Sequence, residues 1–289
     1  MKPFDLGNAA LAVEEPGGFH ADIQLALDPA GATYVRRQRV GYPFHLGRSL
    51  KSPGDPAGMP TLYLQSCAGG MFEGDDLRLR IEAGEGSSAH VTSGASTIVH
   101  STEQAPAVQT LEIHAQEASF LEYLPDPNIL FPRSRLDNRV KLIVHPGATV
   151  IAGDMLLLHD PKGGDGVFDW LRSETRIEGA DGRLLACDRF HVEGRGLARG
   201  LAGVAGTSAA QGSLFVVTGT KPAAEFVTAL REALLVPGVY AGAALLPNRA
   251  GAWARILAKD ASALKSAMFQ AWAAARTILT GATPVQRRK

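Results

Sequence analysis

Cysteine is nearly absent. Cys67 and Cys187 are the two in 289 residues, and neither belongs to a Cys-x-x-Cys pair, so no thiol-exchange or cysteine-zinc motif is written locally. Both are expected to be free, buried thiols in a chain with no other sign of export. No charge dominates either, since 29 Lys plus Arg balance 29 Asp plus Glu. Such a chain has no net field to attract nucleic acid or an anionic membrane, and its partners must be found by shape and local charge. Long apolar runs are also missing. No segment approaches the roughly 18 uninterrupted residues of a membrane span. The opening "MKPFDLGNAALAVEEPGG" interrupts its apolar stretch with acids and does not read as a signal peptide, so the cytoplasm is the expected location.

Local catalytic and metal signatures are absent too. No two of the eight histidines lie closer than ten residues, so one helical turn or one strand cannot supply two imidazole ligands. There is no Gly-x-Ser-x-Gly elbow and no His-Glu-x-x-His, although a dispersed triad would leave no local trace. The glycine-rich "EGRGLARGLAGVAGTSAAQG" lacks the Lys-Ser/Thr ending of a phosphate loop and reads as turns and flexible connection.

What is present is alternation. Glycine (32) and proline (17) recur between runs of period two, which predicts many strands. "LRLRIEA" puts Leu77, Leu79 and Ile81 on one face against Arg78 and Arg80 on the other. "QTLEIHA" alternates through Leu111 and Ile113, and "NRVKLIVHPG" through Val140, Leu142 and Val144 before Pro146-Gly147 closes it. "SETRIEGADGRLLACDRF" predicts a hairpin, with Asp181-Gly182 supplying the positive φ angles of its turn. No fixed-length repeat emerges.

Helical periodicity comes late. Pro222 opens a predicted helix through "AAEFVTALREALLV", with Phe226, Leu230 and Leu234 on one face. A second helix starts at an acidic cap, Asp260, carries Leu264, Met268 and Trp272 on one stripe, and stops at Gly281. Between them, "GVYAGAALLPNRAGAWARILA" reads as two strands about a Pro-Asn turn.

One stretch, "LEYLPDPNILFPRSR", sets Glu122 and Asp126 among three prolines. Two carboxylates so close allow a glycosidase-like acid and base. An Asp between prolines equally fits a turn-capping residue in a rigid connector.

Four segments in order, "AGGMFEGDDLRLRIEAGEGSSAHVTSGASTIVH", "LEYLPDPNILF", "AGDMLLLHD" and "GVFDWLRSETRIEGADGRLLACDRF", give the chain a resemblance to the UreD (UreH) family of urease accessory proteins. The chain departs from the family pattern at Glu73-Gly74-Asp75, where Gly-Gly-Asp is common. It departs again at Val91 to Thr97, where the family commonly carries a lysine. The resemblance implies a mainly β fold, a β-helix-like two-sheet body with a small C-terminal pair of α-helices. One UreD-like domain would span 1–289, its β body roughly 1–220 and a helix-strand-strand-helix part roughly 221–289.

The implied role is non-enzymatic: a scaffold that binds urease apoprotein with UreF and the GTPase UreG, and conducts nickel toward the urease active site. Nickel would be in transit, with no tightly bound cofactor. Family-matched polar positions for such a passage are Asp154 and Asp188 as transient ligands, with Thr92 and Ser93 as lining. The alternative for each acid is an internal salt bridge, with Arg172, Arg176 or Arg189 as partners. For the protein as a whole, two other readings stay open: a β-helical carbohydrate-active enzyme using Glu122 and Asp126, and a non-catalytic β-rich binding module.

Overall fold

A computed structural model describes residues 18–286. The chain winds back and forth between two sheets. It enters the first as β1 (Ala21–Leu27) and β2 (Thr33–Val40), crosses to the second as β3 (Phe44–Leu46) and β4 (Thr61–Ser66), and returns as β5 (Asp76–Ala83). It crosses again as β6 (Ser88–Thr92) and β7 (Thr97–Val99), returns as β8 (Ala107–Ala115), and crosses as β9 (Phe120–Tyr123) and β10 (Asn128–Leu130). Then come β11 (Arg135–Val144) in the first sheet, β12 (Thr149–Leu158) in the second, and the hairpin β13 (Trp170–Gly179) and β14 (Leu184–Glu193) in the first. The remainder is α1 (Gly194–Ala198), β15 (Ala210–Thr218), α2 (Ala223–Ala233), β16 (Val239–Leu245), β17 (Gly251–Ala258) and α3 (Ala261–Thr280). The result is a seven-stranded sheet ordered β14-β13-β11-β8-β5-β1-β2, facing a ten-stranded sheet in which β16, β17 and β15 extend the winding coils.

Parallel pairing of β5, β8, β11 and β13 stacks equivalent residues of successive coils. Ile23, Ile81, Ile113, Leu142 and Ile177 stand in one register row, all buried. Each such side chain contributes about 1.5–3 kcal/mol of transfer free energy, which makes register strongly specified. These row members fall at unequal sequence intervals because the crossings differ in length, which is why no repeat period is visible.

The predicted elements form with adjustments, the first late helix ending at Ala233 with Leu234 as its cap instead of running through Val236. In the β13–β14 hairpin only Gly182 takes a positive φ (77°), while Asp181 does not, and the register shifts at Ile177/Glu178. The glycine-rich segment begins with the short helix α1 before its turns. Both cysteines are free but exposed, which corrects the expectation of burial: Cys187 lies on the outward row of the edge strand β14. The N-terminal stretch read against a signal peptide lies outside the described residues through position 17.

Helices α2 and α3 cover the outer face of the ten-stranded sheet. Asp260 caps α3 by accepting from the Ala263 amide at 2.8 Å, and Gly281 ends it with φ of 71°. Leu264, Met268 and Trp272 face the sheet, as do Phe226 and Leu230 of α2. Among the described residues no helix is long and apolar enough to cross a membrane.

Candidate functional site, a polar cavity between the two sheets

The space between the sheets is not uniformly apolar. One apolar cluster contains Ile81, Ile113, Leu142 and Ile177; another contains Leu77, Ala107, Leu136 and Leu171. Between them the inward row runs Gln109, Asn138, Ser173 across the seven-stranded sheet, with Thr175 and Asp188 paired one step along. Facing it, the ten-stranded sheet carries Asp154, Ser213 and Arg255 in one register row. A belt of polar side chains therefore crosses the sandwich perpendicular to the strands.

The belt surrounds a cavity of about 70 Å³, room for about two water molecules at roughly 30 Å³ each. Thr92, Ser93, Gln109, Asp126, Asn138, Asp154 and Thr175 are among its lining residues, with Leu111, Val140 and Phe215 as apolar walls. Asn138 Oδ1 and Ser213 Oγ are buried without a protein partner, as expected where water completes the hydrogen bonding. Tyr123 also lines the cavity, and burial pushes its hydroxyl up to about 12.

Access is created by a gap in the ten-stranded sheet. Strand β6 stops at Thr92 and β7 begins at Thr97, while β9 stops at Tyr123 and β10 begins at Asn128. Pro125 and Pro127 lack the amide a ladder needs, so pairing cannot continue through them. Side chains replace the missing ladder bonds. Asp126 donates its amide to Ser93 Oγ at 2.7 Å, and Thr92 Oγ1 donates to the Leu124 carbonyl at 2.7 Å. Lys265 of α3 stands 3.7 Å from the Asp126 carboxylate, at the outer side of this window. The stretch that opened two readings is thus a rigid frame.

Of the four positions matched for a passage, Thr92, Ser93 and Asp154 share the cavity wall. Asp154 accepts from the Ser213 amide at 2.9 Å; burial pushes its carboxyl up, against the lowering pull of Ser213 and of Arg255. Asp188 lies at the belt's end, where it forms an ion pair with Arg255 at 2.6 Å, while Arg172, Arg176 and Arg189 find other acids. Among the described residues no three His, Cys, Asp or Glu side chains come together in a way that could hold a metal ion.

Glu122 and Asp126 serve different places. Glu122 points to the α3 side, fully buried, and accepts from Arg276 Nε at 2.8 Å, from Arg276 Nη2, and from His90 Nδ1 at 2.9 Å. Arg276 also bonds Asp55 at 2.6 Å and lies over the Trp272 ring at 4.8 Å. Burial raises the Glu122 pKa, but His90 and Arg276 outweigh it and the net shift is downward. A carboxylate so occupied cannot exchange protons with a glycan, which removes the geometry an acid–base pair requires.

Reasoning from the sequence did not single out Gln109, Asn138, Thr175 or Arg255 as site residues. A signal existed: each occupies an inward position of an alternating strand where an apolar residue is the rule, and three successive coils break the rule at neighbouring registers.

Comparison with known proteins gives a consistent result. The family model described as UreD urease accessory protein matches residues 19–289. A protein named Urease accessory protein UreD 1, from Pseudomonas syringae pv. syringae (strain B728a), is 44% identical over 270 residues, covering 93% of this chain and 95% of the relative. Another of that name, from Methylorubrum populi (strain ATCC BAA-705 / NCIMB 13946 / BJ001), is 34% identical over 278 residues, covering 96% of this chain and 94% of the relative.

Proposed function

The chain belongs to the UreD urease accessory protein family, and from that premise we propose that it is the scaffold of a nickel-metallochaperone complex, conducting the ion between its two sheets toward urease apoprotein. The observation that carries this reading is the polar belt and its cavity, set in an otherwise apolar sandwich. Nickel is cargo here. An ion in transit needs oxygen donors and water in small numbers, because a complete imidazole or thiolate set would retain it. Hydroxyls of Thr92, Ser93 and Thr175, amides of Gln109 and Asn138, and one cavity carboxylate not engaged in an ion pair, Asp154, match that requirement. UreF and UreG complete the complex in this reading, UreG supplying the ion and the present chain contributing no catalytic group.

The ion enters through the window framed by Ser93 and Asp126, passes Asp154, and leaves toward Asp188 at the belt's end. The test is urease activation at limiting nickel. Asp154→Ala and Asp188→Ala are expected to leave folding and complex assembly intact while lowering activation, and Ser93→Trp is expected to do the same by obstruction. Full activation by all three folded variants refutes the passage; loss of assembly returns these residues to structural duty.

A further inference from the structure

The polar belt ends at a pair of groups that close it. Asp188 on β14 and Arg255 on β17 belong to opposite sheets, and their ion pair spans the sandwich at 2.6 Å. The guanidinium is held between the Phe190 ring at 4.6 Å and the Trp253 ring at 5.4 Å. Asp188 is the cross-strand neighbour of the cavity-lining Thr175, and Arg255 is two strands from Asp154 in the same row. Arg255 and Asp188 keep partial exposure, 25% and 22%, so the pair forms the solvent end of the belt. A guanidinium there repels a cation and occupies the Asp188 carboxylate.

Beyond β17 lies β16, which has no strand on its other side among the described residues. Its sequence, VYAGAAL, carries no charge, and its row on the Arg255 side, Tyr240, Gly242 and Ala244, is exposed. Gly242 is the direct cross-strand neighbour of Arg255, and a Cβ built on it meets nothing within 4 Å. The edge carries a side-chain cap, Arg231 of α2, whose Nε donates to the Ala243 carbonyl at 3.0 Å; a strand that displaces this bond can pair with β16 through its main chain. The glycine leaves a clear lane across β16 to the guanidinium.

We propose that the Arg255–Asp188 pair is the closure of the passage, and that it is opened by an extended protein segment that adds to β16 and reaches over Gly242 with a carboxylate. The exchange conserves charge pairing: the incoming carboxylate takes Arg255, and Asp188 is released to meet the cation at the mouth. An acid is required because β16 itself offers none. The proposal deepens the passage reading and rests on it for its purpose, though not for its geometry.

The labelling measurement needs no nickel. In full-length protein with Cys67→Ser and Cys187→Ser, Thr175→Cys places a thiol beside the closure, and its labelling rate by a cationic methanethiosulfonate reports opening. Arg255→Gln and, separately, Gly242→Glu are expected to raise that rate roughly five- to tenfold, the population change that follows loss of a partly exposed ion pair. Assembly with urease apoprotein and the accessory proteins is expected to raise it similarly in the parent and not in Gly242→Leu, whose side chain fills the lane. Melting curves establish folding, and Asp188→Asn replaces Arg255→Gln if the latter does not fold. Unchanged labelling in the folded opening variants overturns the closure. An unchanged rate in the parent complex, or an equal rise in the Gly242→Leu complex, overturns the carboxylate route. Opening as expected, combined with full urease activation by Asp154→Ala, leaves the closure standing and removes the passage.

Discussion

Asp154 and Glu122 are both buried acids, and their surroundings push them in opposite directions. Burial raises the Asp154 pKa above its ordinary 3.8. The folded state then holds that proton more firmly than the unfolded chain, so stability declines as pH rises from 3.8 through the raised value. Asp154→Asn keeps the acceptor for the Ser213 amide and is expected to melt higher than wild type at pH 7. That advantage should vanish below the ordinary value, and thermal scans at both pH values check it. Lower nickel delivery by the same variant would place it among sites where function costs stability. Glu122 behaves inversely. Burial is opposed by His90 and Arg276 and the net pKa lies below 4.5, so its contribution is present above that value and lost as pH falls through the depressed one. Arg276→Met leaves Glu122 and Asp55 buried without their cation and is expected to cost about 3–5 kcal/mol near neutral pH. Urea titration measures it, and a smaller loss in acid, where Glu122 is protonated, identifies the cause.

At the scale of elements, α3 is held by its cap and by its apolar stripe. Asp260→Ala removes the bond to the Ala263 amide and is expected to cost about 1 kcal/mol. Trp272 is 6% exposed and packs on His90 at 4.9 Å between ring centroids and on Phe269 at 5.8 Å. Trp272→Ala is expected to cost about 3–5 kcal/mol by denaturant unfolding. An unchanged unfolding midpoint with lost partner binding would instead make the ring an interface residue. The interruption of β6 and β9 is the complementary element-scale feature, since prolines that break a ladder are what opens the window beside Ser93.

For the whole molecule, zero net charge combines with exposed apolar side chains, Tyr42 at 78%, Leu235 at 85% and Tyr240 at 80%. Little electrostatic repulsion opposes association of such surfaces. The isolated protein is expected to self-associate near neutral pH and to become more soluble with its accessory partners. Sedimentation across a concentration series checks this, and a monomer persisting at millimolar concentration contradicts it.

How much of this was legible follows from the range of each interaction. Period-two alternation fixed which side of β5, β8 and β11 faces inward, because side-chain direction along a strand is a local property. The caps at Asp260 and Gly281 were equally local, and so was the ladder-breaking power of Pro125 and Pro127. Four ordered segments sufficed to identify the family. Tertiary structure alone decided which inward residues meet. Coils of unequal length put Gln109, Asn138 and Thr175 at neighbouring registers, and the folding of one sheet over the other brought Asp188 to Arg255 and Glu122 to Arg276. No residue spacing encodes those contacts, since each depends on the summed path of every intervening crossing.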